Sequence, residues 1–287
     1  MGCMDGKVAI VTGGGRGIGR EECLLLASEG ARVVVNDFGG SIDGSGGDVT
    51  PAQEVVELIR SKGGEAIANG ESVSSFQGAK SIVDVAVSTF GRLDALVNNA
   101  GIIRDRMLYN MSEEEFDAVI AVHLKGHFNC ARWASSYWRD EFKKGNAGTR
   151  HIVNTTSGAG LIGNRGQTNY AAAKAGIAMM TRVWAMDLES YDVKVNAIAP
   201  LARTRITEAT FGDFSSDDGG FDIMSPANVA PLAVFLASDL SSGITGEVFG
   251  IRGGDLDRYF TWSNPNAINK DGRWTPTEIA GRIGELF

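Results

Sequence analysis

The chain has 287 residues, 43% of them hydrophobic and 22% charged, with a formal net charge of −8. That length and apolar content suit one large α/β domain with a full core, and the acidic balance excludes a protein that grips nucleic acid through a broad basic surface. Cys3, Cys23 and Cys130 are too scattered for a disulfide frame or a metal site; with no leader-like start, membrane-length apolar run or peroxisomal C-terminal address, the expected location is cytoplasmic, away from membranes.

Val8 to Val11 is an apolar run that ends at Thr12 and opens into Gly13, Gly17 and Gly19, spaced T-G-x-x-x-G-x-G. A buried parallel strand that runs into a glycine turn and then a helix offers free N–H groups and a partial positive charge to a pyrophosphate. Gly13 permits the sharp turn, Gly17 the approach of backbone to phosphate, and Gly19 close packing of helix on strand. The helix is expected to run from Arg20 to Ser28 with Leu24, Leu25 and Ala27 facing inward, and to stop at Gly30. Ala31 to Asn36 reads as the second buried strand. Asp37 follows it, where a dinucleotide fold places an acid on the adenosine ribose. A carboxylate there accepts from both ribose hydroxyls and repels a 2′-phosphate, which favours NAD. Arg16, inside the glycine loop, leans towards NADP, and Asp37 outweighs it because it lies at the ribose itself.

Residues 38–48 are rich in glycine and serine and read as a surface loop. Thr50-Pro51-Ala52-Gln53 reads as a Thr-capped helix start, with the helix running to Lys62. Glu65 to Asn69 is a short strand, and Glu71, Ser72 and Val73 at its exit offer backbone groups to an adenine. Gln77 to Phe90 is an amphipathic helix. Leu93 to Asn98 is a buried strand that ends in Asn98-Asn99-Ala100-Gly101. Ser112 and Glu115 frame a capping box for one long helix carrying His123 and Phe128. His151 to Thr156 is a strand followed by Ser157. Thr168 to Leu188 is a helix on which Tyr170 and Lys174 are neighbours at i, i+4. Val193 to Ala199 is a strand that ends at Pro200. Residues 207–225, rich in Gly, Asp and Ser with Phe211, Phe214 and Phe221, read as a mobile lid. Val229 to Ala237 is helical, and Glu247 to Ile251 reads as the last strand.

The alternation of strand and helix predicts a Rossmann-type doubly wound parallel sheet with helices on both faces. The expected domain covers 1–257, lid included. Residues 258–287 form a tail that docks on the domain or on a partner subunit, with a helix starting at Thr275-Pro276-Thr277-Glu278.

TGGGRGIG at Thr12 to Gly19, NNAG at Asn98 to Gly101, Ser157 after a strand and YAAAK at Tyr170 to Lys174 resemble, in that order, the short-chain dehydrogenase/reductase family. The likeness covers about Lys7 to Asp255. The runs NDFGG at Asn36, NNAGIIRDR at Asn98, VHLKG at Val122, GNRGQTNYAAAK at Gly163, APLAVFLAS at Ala230 and GRWTP at Gly272 are similar to its (3R)-hydroxyacyl-CoA dehydrogenase branch, the unit found in peroxisomal multifunctional enzyme type 2. The resemblance implies NAD held at its phosphates by Gly13, Arg16, Gly17, Ile18 and Gly19, and at its ribose by Asp37. Ser72 and Val73 would meet the adenine. Asn99, Ala100 and Gly101 would hold its middle, and Pro200 and Thr204 the nicotinamide. It also implies Tyr170 as acid/base, Lys174 on the nicotinamide ribose and Ser157 on the substrate oxygen. The family's helix-borne Asn is His123 here, a departure at the usual proton relay that the same branch shares. Its Pro-Gly reads Pro200-Leu201 with the following Thr displaced to Thr204, and the acid before the adenine turn is Glu71.

Moving a hydride to or from a carbinol carbon requires a proton moved to or from its oxygen. A free phenol, with a pKa of about 10, is a sluggish base near neutrality, so the Lys174 cation is expected to lower that of Tyr170. Ser157 would stabilise charge on the substrate oxygen. Three functions stay open: an NAD-dependent dehydrogenase of 3-hydroxyacyl thioesters, the same chemistry on a steroid or other secondary alcohol, and a nucleotide-sensing protein without turnover. The substrate is a small molecule. Apolar surface on the helices at 113–131 and 168–188 predicts a homodimer or homotetramer, and Arg104, Arg106, Arg203 and Arg205 form the expected cationic set for the phosphates of CoA.

Overall fold

The computed structural model describes residues 2–211, 220–260, 266–271 and 273–286. The first half of the chain forms β1 (Val8–Thr12), α1 (Gly17–Ser28), β2 (Arg32–Asn36), α2 (Thr50–Ser61), β3 (Ala66–Asn69), α3 (Phe76–Phe90) and β4 (Ala95–Asn98). Then come α4 (Glu113–Ile120), a π-helical turn at Ala121–Lys125, α5 (Gly126–Lys143), β5 (Arg150–Thr155), α6 (Gly158–Ile162), α7 (Thr168–Asp187) and β6 (Val193–Pro200). The chain closes with α8 (Arg205–Phe211), α9 (Ala230–Leu236), β7 (Val248–Arg252), β8 (Asp255–Tyr259) and α10 (Pro276–Arg282).

The strands form one sheet in the order β3-β2-β1-β4-β5-β6-β7-β8. Every pairing is parallel except the last, where β8 runs antiparallel to β7. Successive side chains of a strand point to opposite faces. Ala9 and Val11 therefore pack with α1, α2 and α9 on one side, and Val8 and Ile10 with α3 and α5 on the other. Covering both faces is why the inner strands read as continuous apolar runs. Each buried Val or Ile contributes roughly 1.5–3 kcal/mol. Among the described residues no helix is long and apolar enough to cross a membrane.

The sheet order reverses between β1, whose crossover leads to β2, and β4, whose crossover leads to β5. A crevice opens there, at the C-terminal ends of the strands. Thr12 and Asn99 lock its floor. The Asn99 and Ala100 N–H groups donate to Thr12 Oγ1 at 3.0 and 3.2 Å. The Asn99 side-chain amide donates to the Thr12 and Gly13 carbonyls at 3.1 and 3.2 Å.

Several elements depart from expectation. α1 buries Gly19, Glu22, Cys23 and Leu26, whereas Leu24, Leu25 and Ala27 pack only partly against the core. The rotation of the helix is set by Gly19, where a Cβ would stand 2.2 Å from the Gly13 carbonyl oxygen. Thr50 is the first residue of α2 and not its cap; its hydroxyl and N–H both donate to Asp48 Oδ1, at 2.6 and 2.9 Å. The single helix expected after Ser112 keeps its capping box but is interrupted by the π-helical turn. β8 is an additional strand, and it crosses the expected domain boundary at 257. Its side chains are mostly charged and exposed, as suits the edge of a sheet.

Candidate active site

A cavity of about 520 Å³ occupies the crevice. Gly13, Arg16, Gly17, Ile18 and Asp37 line it at the β1–β2 end, and His123, Tyr170 and Lys174 line it on the β4–β5 side. Ser72, Val73, Asn99, Ala100, Gly101, Pro200 and Thr204 also belong to its wall. Of the catalytic and cofactor residues expected from sequence, Gly19 and Ser157 stand outside the lining.

The glycine turn fits an anionic group. Gly13 and Gly17 adopt φ of 66° and 53°, in the left-handed region that favours glycine. A Cβ on Gly13 would come within 2.9 Å of Ala100 Cα. The helix that follows begins without a side-chain cap and without an acidic residue in its first turn, so its N-terminal donors remain for a ligand. Asp37 is fixed at the exit of β2, where its two oxygens accept from Gly15 N at 2.8 Å and Gly39 N at 2.7 Å. Beside it, the Asn36 amide donates to Asn69 Oδ1 and to the Glu71 carbonyl, both at 2.9 Å, and holds the turn that carries Ser72 and Val73.

On the other side, Lys174 is buried and its Nζ donates to the Thr155 carbonyl at 2.6 Å. It lies 5.5 Å from the centre of the Tyr170 ring. His123, at the middle of the π-helical turn, meets Tyr170 edge-on with ring centroids 5.1 Å apart. Its Nε2 stands 2.7 Å from the Ile102 carbonyl and 3.0 Å from the Ile102 N–H, and its Nδ1 has no protein partner. Gly101 is what admits this ring, since a Cβ there would lie 2.4 Å from His123 Cε1. Ser157 caps α6, accepting from Ala159 N at 3.2 Å.

The electrostatics differ from the sequence expectation. Burial pushes the Tyr170 phenol up to about 12, with a hydrogen bond to Ser157 pulling the other way. Burial pushes Lys174 down to about 7, which leaves it only part charged at neutral pH. The expected lowering of Tyr170 by Lys174 is therefore corrected: desolvation outweighs a cation that is itself desolvated. Burial, then the Lys174 charge, hold His123 well below the usual histidine value, and the same two causes bring His127 to about 3.

The four arginines do not form one cationic set. Arg104 Nε donates to the Asp43 carbonyl at 2.8 Å, Arg106 pairs with Glu115 at 3.0 Å, and Arg203 pairs with Asp222. Arg205 lines the β1–β2 end of the cavity beside Arg16. Of the expected lid, residues 207–211 are helical, and 212–219, with Phe214, lie outside the described residues, as does the Phe211 side chain. Phe221 is 71% exposed.

Sequence reasoning missed the strap at 38–44. Phe38, Gly40, Ser41, Ile42 and Gly44 line the cavity, and Ile103 N donates to the Ile42 carbonyl at 3.0 Å. It also missed Thr155 and Thr156 in the wall. Their position directly before Ser157 at a strand end was the available signal.

A model of the short chain dehydrogenase family matches residues 7–211. The chain belongs to the short chain dehydrogenases. These are oxidoreductases. Among its relatives is the hydroxyacyl-CoA dehydrogenase ChsB1 of Mycobacterium tuberculosis, 43% identical over 99% of this chain and 89% of the relative. The peroxisomal multifunctional enzyme type 2 of Drosophila melanogaster is 43% identical over 82% of this chain, which spans 37% of that longer protein. A crystal structure of a short chain dehydrogenase from Mycobacterium avium superposes with a TM-score of 0.89 at 50% identity, covering 99% of this chain and 95% of the other.

Proposed function

We propose that this short chain dehydrogenase oxidises (3R)-3-hydroxyacyl-CoA with NAD, as a homodimer or homotetramer in the cytoplasm. One observation carries the reading: a single cavity joins the glycine turn and Asp37 to Tyr170 and Lys174. The uncapped start of α1 with Gly13, Gly17 and Ile18 would hold the phosphates, Asp37 the adenosine ribose, and Ser72 and Val73 the adenine. Asn99, Ala100 and Gly101 would support the middle, with Pro200 and Thr204 at the nicotinamide. A bound nicotinamide supplies the hydride acceptor.

As the phenolate, Tyr170 would take the proton from the substrate hydroxyl, with Ser157 holding that oxygen. Lys174 fixes the nearby ribose and, when charged, favours the phenolate. His123 braces the Tyr170 ring through its edge-on contact. The thioester class is supported by the names of the relatives and by the motif runs shared with that branch. Self-association is supported by apolar side chains left exposed on α4, α5 and α7, among them Phe116, Phe128, Met179 and Met186, the last 67% exposed. The unpaired thiols of Cys3, Cys23 and Cys130 accord with a reducing compartment.

NAD reduction measured on both 3-hydroxyacyl-CoA enantiomers, a steroid alcohol and simple secondary alcohols tests the reading. The 3R thioester should give the highest kcat/KM. Preference for the 3S form, or for an alcohol without CoA, would replace it with a general secondary-alcohol dehydrogenase.

A further inference from the structure

The β1–β2 end of the cavity carries a second cation that the glycine motif does not supply. Arg205, the first residue of α8, lines the same wall as Arg16. The two come together because the chain enters α8 against the glycine loop: Thr204 Cγ2 lies 3.5 Å from the place a Cβ would take on Gly17. Among the described residues neither guanidinium has an ion pair or a hydrogen bond, in contrast to Arg104, Arg106 and Arg203. Asp37 acts on Arg205 and Asp48 on Arg16, and both carboxylates already accept other hydrogen bonds, Asp37 from Gly15 N and Gly39 N and Asp48 from the Thr50 N–H and hydroxyl.

Two guanidinium groups thus stand on one wall of the cavity with carboxylates near them but, among the described residues, none bonded to either. Burial and the charge of Arg16 both make the Arg205 cation less favourable, and Asp37 offsets them only in part. A site of this kind is relieved by an anion. Guanidinium groups bind phosphate oxygens in a planar, two-pronged manner, and charge-assisted bonds of this type are about twice as strong as neutral ones.

We propose that Arg205 and Arg16 bracket the diphosphate of the bound dinucleotide, Arg16 from the glycine loop and Arg205 from the start of α8. The proposal rests on the dinucleotide reading above and assigns Arg205 to the cofactor and not to the CoA substrate. It makes the first residue of α8 part of the cofactor site.

Calorimetric titration of the full chain with NADH, ADP-ribose, adenosine and NADPH tests this without turnover. Arg205 is exposed, so R205A should fold as the wild type does, which thermal melting checks. R205A should weaken ADP-ribose and NADH by about tenfold or more and leave adenosine within about twofold. The loss should shrink at high salt, because exposed charges are screened, and R205K should recover part of it. An unchanged ADP-ribose affinity in R205A, or an equal loss for adenosine, would overturn the bracket. A loss confined to NADPH would also overturn it and assign Arg205 to a 2′-phosphate. Failure of the wild type to bind any dinucleotide would instead bring down the cofactor reading, and the bracket with it.

Discussion

His123 hangs from the Ile102 backbone by Nε2, at 2.7 Å from the carbonyl, and presents the edge of its ring to Tyr170 at 5.1 Å between centroids. It is buried and held well below the usual histidine value by that burial, so it stays neutral across the working range. Its part is therefore to position Tyr170 and the Ile102 peptide. Leucine in its place would leave a buried peptide group unpaired, at a cost of about 1–3 kcal/mol. H123L should lose kcat by about tenfold or more, and H123N should lose less, because an amide can still meet a backbone partner. The midpoint of the pH–rate profile should be the same in H123N as in the wild type. Equal activity in H123L and H123N would reduce His123 to a packing residue.

Tyr170→Phe keeps the ring and removes the transferable proton. Turnover should fall by roughly 10²–10⁴, the usual share of general acid–base catalysis, with NADH affinity nearly unchanged. Lys174→Ala should damage both, because it removes the group proposed to hold the ribose and leaves the Thr155 carbonyl without its 2.6 Å partner. Titrating NADH into each variant beside the steady-state assay separates the two effects. Substantial turnover by the Phe variant would show that Tyr170 is not the acid/base.

Most of this site was legible because its parts fall at strand ends, where a parallel α/β sheet gathers them. Gly13, Asp37, Asn99 and Ser157 each follow an apolar run, and the order of runs fixes their proximity. What stayed hidden depends on contacts between segments far apart in the chain. The strap reaches the β4 exit through Arg104 and Asp43, which are 61 residues apart. No local pattern in 38–48 announces that partner. The π-helical turn adds a residue to a helix without disturbing its apolar spacing enough to be read. β8 lacks the alternation of a half-buried strand because Asp255, Asp257 and Arg258 lie at an edge. The titration of Tyr170 was misjudged because i, i+4 spacing reveals proximity to Lys174, whereas the burial of both groups is a tertiary fact.

Cofactor choice should follow Asp37. Its carboxylate is pinned by Gly15 N at 2.8 Å and Gly39 N at 2.7 Å, so it cannot swing away from a 2′-phosphate. A negative charge held beside a phosphate lowers its affinity, and the two arginines nearby offset this only in part. Wild-type protein should bind NADH more tightly than NADPH. D37A should weaken NADH by about tenfold and narrow the gap, since it removes the proposed ribose acceptor, its repulsion and two backbone anchors at once. Tighter binding of NADPH by the wild type would mean that the arginines govern this end of the cavity.

Glu22 poses a different question, one of stability. It sits on the buried face of α1, and neither of its carboxylate oxygens has a protein partner. Burial pushes it up to about 8 from 4.5, so it is mostly protonated in the fold at neutral pH and ionised in the unfolded chain. The unfolded chain thus binds fewer protons between those two values, and stability falls as pH rises through that window. The contribution is fully present below about 4.5 and is lost as pH passes about 8. The upper limit of the slope is about 1.4 kcal/mol per pH unit. Glu22→Met keeps the length of the side chain and removes both unpaired oxygens. It should raise stability by about 1–3 kcal/mol near neutrality. Urea unfolding of both proteins at mildly acidic and mildly alkaline pH should find a small gap on the acid side and a larger one on the alkaline side. A gap that is constant with pH, or one that favours the wild type more as pH rises, would mean that the Glu22 carboxylate is ionised in the fold and held there by a partner.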